Sequence, residues 1–332
     1  MVEIRRRELL TLLGGAAAAV MRPRAARAQA PSKRPLIAWI SGGTRQLAAS
    51  FIENFLRGLT ELGYVEGRNF DIVYRFTEGY QERLPALTEE VVRLKPDVIL
   101  ATAAIAAVAA RKATSTIPIV TPALADAVHL GLIASEARPG GNVTGIEPYV
   151  AGLPAKQIEF AREIVPGASK IGLLTNLMDP KAPAQAQELE AAARAAEIKI
   201  VAADANKPEE LDSALQVLRD QSVDVVIVLQ TSMLIAYAPQ IAMSALARRL
   251  PTVYGYREHV IAGGLVSYGV DLRWCFYRGA YFVDRILRGT PPGDLPIEFP
   301  TKMFLAINLK TASTLGITVK PTLLSLADEV IE

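Results

Sequence analysis

Cysteine and histidine are almost missing from this chain: Cys275 stands alone, and the histidines are His129 and His259. One cysteine excludes an internal disulfide and a cysteine metal cluster, and two isolated histidines are too few for a histidine metal site. The Ser41-Gly42-Gly43-Thr44 loop comes after an apolar run, as a dinucleotide loop would, but lacks the G-x-G-x-x-G spacing. His259 beside Glu258 is no acid–base pair, because sequence neighbours do not face each other on a helix. No catalytic constellation, cofactor site or metal site is therefore expected. Long apolar runs are scarce too. After residue 28 none reaches 18 residues, so no spanning helix is expected there.

The first 28 residues stand apart in composition. Arg5, Arg6 and Arg7 open them, Leu9 to Val20 is an apolar run of twelve, and Ala26-Arg27-Ala28 places small residues where a signal peptidase reads. A run that short does not span a bilayer as a stable helix. Residues 1–28 are expected to be a cleaved export signal. Leu9 and Leu10 behind the paired arginines, with Arg22, Arg24 and Arg27 near the cleavage site, favour the twin-arginine route; an ordinary secretory signal is the alternative.

This leader also accounts for the chain's formal charge of +2. It holds six Arg and two Glu, leaving 30 basic and 32 acidic residues behind it. Without a basic excess, nucleic acid is not an expected partner. No cysteine sits at the cleavage site to take a lipid, and Cys275, among Trp274, Phe276 and Tyr277, reads as a packed side chain.

The remaining 300 or so residues contain an internal echo. Leu36 to Ser41 is matched by Ile171 to Asn176, Pro96 to Ala101 by Val223 to Val228, and Ile117 to Thr121 by Leu250 to Tyr254. Each run is continuously apolar, as a strand covered on both faces of a parallel sheet requires. Helical spacing lies between them. Phe51, Phe55, Leu59 and Leu62 form one stripe before Gly63, and Leu84–Leu94, Ile105–Ala113, Pro183–Ala196, Leu211–Arg219 and Ile235–Arg249 fill the other slots. The pattern is α/β: two doubly wound parallel-sheet lobes.

Ligands of such sheets bind beyond the carboxyl ends of the strands. Those ends hold Ser41, Gly42, Thr44, Thr102, Ala103, Asp126, Asn176, Thr231, Ser232, Tyr254 and Tyr256, which with Tyr268 are the candidate ligand-binding residues. The hydroxyls and adjoining helix starts suit a carboxylate, and are equally good N-caps. Asp126 suits an ammonium group, or an Asx turn. The tyrosines suit a cleft wall, or helix–sheet packing. Glu258 beside Arg257 reads as a surface or interlobe ion pair, and the Asn142-Val143-Thr144 glycosylation triplet as incidental. The breaker-rich Arg138-Pro139-Gly140-Gly141-Asn142 marks the expected first crossing between lobes.

The chain resembles the ABC transporter substrate-binding family that includes tryptophan- and tyrosine-binding periplasmic receptors. The resemblance runs through Gly58-Leu59-Thr60-Glu61-Leu62-Gly63-Tyr64-Val65-Glu66-Gly67-Arg68-Asn69, Arg138 to Gly145, Ala262 to Gly269, Ile307 to Ala312 and Ala327 to Glu332. It implies a type I periplasmic binding protein-like fold whose two lobes, joined by hinge strands, close over a solute. The lobes are expected at 31–122 plus about 270–296, and at 123–269 plus about 297–332.

It further implies a monomeric periplasmic protein that captures a small carboxylate-bearing solute, an amino acid or aromatic acid, for an ABC permease and ATPase. A ligand-sensing subunit for a signalling partner is the alternative. Two positions depart from the family: Ala125-Asp126-Ala127-Val128 replaces a Gly-Asp-Pro-Val turn, and Thr231-Ser232-Met233 stands where an Asp-Pro pair is common.

Overall fold

A computed structural model describes residues 34–148 and 152–332; the expected export signal lies outside the described residues. Among these, no helix is long and apolar enough to cross a membrane.

The first half builds a five-stranded sheet. β1 (Leu36–Ser41) leads into α1 (Arg45–Glu61), β2 (Asp71–Phe76) into α2 (Leu84–Arg93), β3 (Val98–Ala101) into α3 (Ala104–Ala113), and β4 (Ile119–Thr121) and β5 (Val143–Gly145) complete the order β2-β1-β3-β4-β5, all parallel. The apolar runs become strands because their side chains are buried on both faces: Ile37 to Ile40 and Val98 to Ala101 lose all solvent contact.

The second half repeats the plan. α4 (Leu153–Ile164), β6 (Lys170–Thr175), α5 (Ala182–Ala195), β7 (Lys199–Asp204), α6 (Leu211–Asp220), β8 (Val225–Val228), α7 (Ser232–Ala236), α8 (Ala238–Ala247), β9 (Thr252–Tyr254), α9 (Arg257–Ile261) and β10 (Val266–Val270) come in order. α10 (Leu272–Leu287) then leaves this sheet, and β11 (Met303–Asn308), α11 (Leu309–Leu315), α12 (Pro321–Leu324) and β12 (Glu329–Ile331) return to it. The sheet runs β12-β11-β10-β9-β8-β6-β7. β11 is antiparallel to β10, so this sheet is mixed rather than wholly parallel.

Three differences from the sequence reading have local causes. The expected helix Ile235–Arg249 is broken at Tyr237, because Pro239 sits in the first turn of α8 and starts a new helix there. The boundary expected at residue 122 falls too early. Val143–Gly145 pairs with β4 and keeps the chain in the first sheet, so the Arg138–Asn142 segment precedes a strand of that sheet instead of crossing out of it. Asn142 is buried, with its Nδ2 donating to the carbonyls of Thr114 and Ile117, which gives the glycosylation triplet a structural role.

The chain leaves the first sheet past Ile146 and Glu147, whose backbone runs beside Glu298: Glu147 N–H donates to the Glu298 carbonyl at 2.9 Å, and Glu298 N–H to the Gly145 carbonyl at 3.0 Å. α10 carries the chain back over the first sheet, where it packs on α1. Gly58 permits that approach, since a Cβ there would stand 2.5 Å from the Tyr277 carbonyl oxygen. Phe276 of α10 stacks on Phe51 (4.6 Å between centroids) and on Trp39 (5.3 Å), tying β1, α1 and α10 into one aromatic cluster. Burial of such rings adds to the aliphatic core of this half.

Candidate functional site

The carboxyl ends of the two sheets face one another and enclose a cavity. Its volume is about 50 Å³, several times the roughly 10–15 Å³ that a single water needs. Each lobe supplies a different kind of wall. From the first come Trp39, Leu47, Ala48, Phe51, Leu272 and Phe276, with Ser41, Gly43, Thr44, Thr102, Ala103 and Ala123 at the strand ends. From the second come Lys181, Thr231, Ser232, Ile235 and Tyr256.

The strand-end hydroxyls are held by the turns that produce them. Ser41 Oγ accepts from Gly43 N–H at 3.1 Å, Thr44 Oγ1 caps α1 by accepting from Leu47 N–H at 3.2 Å, and Thr231 Oγ1 caps α7 by accepting from Leu234 N–H at 3.3 Å. Each hydroxyl therefore keeps its own proton to donate. Ser232 Oγ and Trp39 Nε1 are buried without a hydrogen-bond partner among the described residues.

Among the described residues, Lys181 is the one ionisable lysine, arginine, aspartate or glutamate in the lining. It is only 6 % exposed, and burial pushes its ammonium below the usual lysine range, with Asp179 and Glu147 acting in the opposite direction. Neither carboxylate forms an ion pair with it. Asp179 instead accepts from two backbone groups, Lys181 N–H at 3.2 Å and Ser232 N–H at 3.1 Å, which pins the start of α5 to that of α7. Glu147 accepts from Asp126 N–H at 2.7 Å. The ammonium stands 5.9 Å from the centre of the Tyr256 ring, at the edge of cation–π range.

Seven sequence candidates meet at this cavity: Ser41, Thr44, Thr102, Ala103, Thr231, Ser232 and Tyr256. Gly42 is next to it: a Cβ there would lie 3.4 Å from Ser232 Cβ across the cleft. Four candidates are elsewhere. Asp126 sits in a left-handed turn (φ 49°) away from the lining, its N–H on Glu147. Asn176 is fully buried and accepts from Gln81 Nε2 at 3.2 Å, an interlobe contact. Tyr254 is stacked on His259 (4.5 Å) inside the second core, and Tyr268 packs on Phe160 (4.7 Å).

Glu258 also departs from its ion-pair expectation. Arg257 pairs with Glu329, while both Glu258 carboxylate oxygens are buried without a hydrogen-bond partner among the described residues; burial pushes this acid up to about 7 and neighbouring His259 down to about 4. Cys275 is fully buried, and burial raises its thiol far above the range of a nucleophile.

The lining residues beyond the sequence candidates are Lys181, Gly43, Leu47, Ala48, Ala123, Ile235, Leu272 and the aromatic trio Trp39, Phe51 and Phe276. Trp39 and Phe51 lie in a strand and a helix the sequence declares, so they read as core, whereas Phe276 lies on α10, which was not identified from the sequence. Lys181 carries only one signal, its place a few residues beyond the end of β6, where the first half's echo also has its loop.

The lobes touch outside the cavity through the segment after β2. Tyr237 Oη donates to the Glu78 carbonyl at 2.9 Å, and Tyr80 Oη donates to Glu209 at 2.9 Å. Gly79, at φ 85°, lies against the Tyr237 ring where a Cβ would meet it at 2.3 Å. These contacts bring the two lobes together at the edge of the cleft.

Residues 37–331 match the family model described as ABC transporter substrate binding protein. The chain is 26 % identical over 263 residues to a tyrosine-binding protein of Clostridioides difficile, covering 79 % of this chain and 75 % of that one. Two solved structures superimpose closely. A conserved domain protein of Vibrio cholerae gives a TM-score of 0.84 at 28 % identity, and an ABC domain from Streptococcus pneumonia in complex with L-Trp gives 0.83 at 24 %. Each covers 90 % of this chain and is itself covered completely.

Proposed function

The chain belongs to the ABC transporter substrate-binding protein family, whose members bind solutes and are not enzymes, and on that premise we propose that it captures a small carboxylate-bearing solute in the interlobe cleft for an ABC importer. In this reading the export signal delivers it to the periplasm, residues 1–28 are removed, and the monomer presents its closed form to a permease and ATPase. The division of the chain is that of the two sheets, with α10 riding on the first.

The observation that carries the ligand reading is the buried Lys181 amine, whose protonated form burial disfavours and a ligand carboxylate beside it would restore. It lines the cavity without an ion pair among the described residues, beside hydroxyls whose free protons point the same chemistry at an anion. The relatives' tyrosine and L-Trp make an amino acid or aromatic acid the natural size class. Because both lobes line the cavity, a solute touching both favours the closed state by its differential contacts.

Thermal unfolding of the purified protein against a panel of amino and organic acids tests this. A ligand that binds only the folded state raises the melting temperature, by an amount that grows with its concentration. A panel that produced no rise at millimolar concentration would overturn the ligand class.

A further inference from the structure

Among the described residues, the cavity lining contains no aspartate or glutamate. An α-amino acid carries two opposite charges, so its ammonium as well as its carboxylate must find partners once water is expelled, or the desolvation is uncompensated. The nearest acids are already engaged: Asp179 by two backbone N–H groups and Glu147 by Asp126 N–H, both outside the lining. Asp126, the sequence candidate for an ammonium, is not at the cavity.

The lining's donor-only groups are the Lys181 amine in its protonated form and the Trp39 indole N–H, and Ser41, Thr44 and Thr231, whose oxygens accept backbone N–H bonds, have their protons left to donate; the remaining hydroxyls, of Thr102, Ser232 and Tyr256, can accept from an ammonium but carry no charge to balance it. A second positive charge in a space this small would stand beside Lys181 in a low-dielectric site. The remaining wall, Trp39, Phe51, Phe276, Leu47, Leu272 and Ile235, is apolar.

We infer that the cavity is built for an apolar carboxylic acid without an α-amino group, its carboxylate held by Lys181 of the second lobe and its hydrocarbon body by Trp39, Phe51 and Phe276 of the first. This rests on the carboxylate reading above and narrows it. The two ends of the ligand are then read by different lobes, and Lys181 is the residue that rejects the zwitterion.

The test is calorimetric titration of the purified protein at pH 7 with matched pairs: 3-phenylpropionate against L-phenylalanine, 3-(indol-3-yl)propionate against L-tryptophan, and 4-methylpentanoate against L-leucine, with 3-phenylpropanamide as the neutral control. In every pair that binds, the acid is expected to bind at least about 10-fold more tightly than its amino acid, and the amide more weakly than the acid. Lys181→Met, and Lys181→Gln beside it, are expected to weaken the acid about 100-fold while thermal unfolding of the unliganded variants confirms that they are folded.

An amino acid that binds as well as or better than its acid overturns this inference and leaves the carboxylate reading standing. So does an acid whose affinity survives both Lys181 substitutions. Failure of every acid and every amino acid to bind overturns the carboxylate reading itself, and this inference with it.

Discussion

The two lobes share a fold plan but bring different surfaces to the cleft. Both line it with hydroxyls at their strand ends, to which the first adds stacked rings, with Phe276 on Phe51 and Trp39, and the second adds Lys181. The difference lies in the segments that leave the strand ends. Beyond β1 the chain enters a 17-residue helix whose apolar stripe is shared with α10, so rings reach the cleft as an extension of the core. Beyond β6 and β8 it enters polar turns fixed by Asp179, so the functional groups there stand on hydrogen bonds. One lobe can hold an apolar body and the other an anion, and a ligand with both satisfies the cleft only when it closes.

The largest effect expected from breaking this contrast is on the first lobe. Phe276→Ala removes the ring common to both stacks and is expected to cost about 3–5 kcal/mol of stability, measured by urea unfolding. A loss below about 1 kcal/mol would mean that the aromatic wall is not part of the core.

The second lobe is expected to respond to pH instead. Glu258, raised to about 7 in the folded protein, is protonated when folded and ionised when unfolded between about pH 4.5 and 7, so its contribution to stability falls as pH rises through that window. His259, lowered to about 4, is neutral when folded and charged when unfolded between about pH 4 and 6.5, so its contribution rises with pH. The two offset each other from about pH 4.5 to 6.5. Glu258→Gln removes one side, and its stability relative to the parent should grow by about 3 kcal/mol from pH 4.5 to 7. Parallel pH profiles for the two proteins would show that Glu258 is solvated in the fold.

Smaller effects sharpen the role of closure. Tyr237→Phe loses the bond to the Glu78 carbonyl without touching the cavity. It should weaken ligand binding about 5-fold, seen by calorimetry, because one net hydrogen bond is worth about 1 kcal/mol. Thr44→Ala uncaps α1 and should cost about 1 kcal/mol of stability. If Thr44 also donates to the ligand, affinity falls with it; an unchanged affinity confines Thr44 to capping.

The parts of the fold legible in the sequence are those where one physical rule acts alone. Continuous apolar runs declare strands buried on both faces, and their echo declares two halves. β5 escaped notice because Val143-Thr144-Gly145 is too short to show a pattern and sits directly after a breaker segment. The antiparallel β11 escaped because strand direction depends on where the chain has travelled, in this case out along α10 and back.

At the site, position relative to a strand end found the hydroxyls of Ser41, Thr44, Thr102, Thr231 and Ser232, since ligands and N-caps use the same groups. It did not find Lys181, whose burial comes from tertiary packing around a polar stretch. Nor did it separate Tyr256, which lines the cavity, from Tyr254, which turns into the core two residues earlier.

The most direct measurement of the central claim is a crystal structure of the protein with the best-binding carboxylate from the matched pairs. The carboxylate is expected within hydrogen-bond distance of Lys181 Nζ and the body against Trp39, Phe51 and Phe276, with both lobes in contact. A ligand lying in the opposite sense, with its carboxylate on the aromatic wall or its bulk outside the cavity and Lys181 untouched, would contradict it.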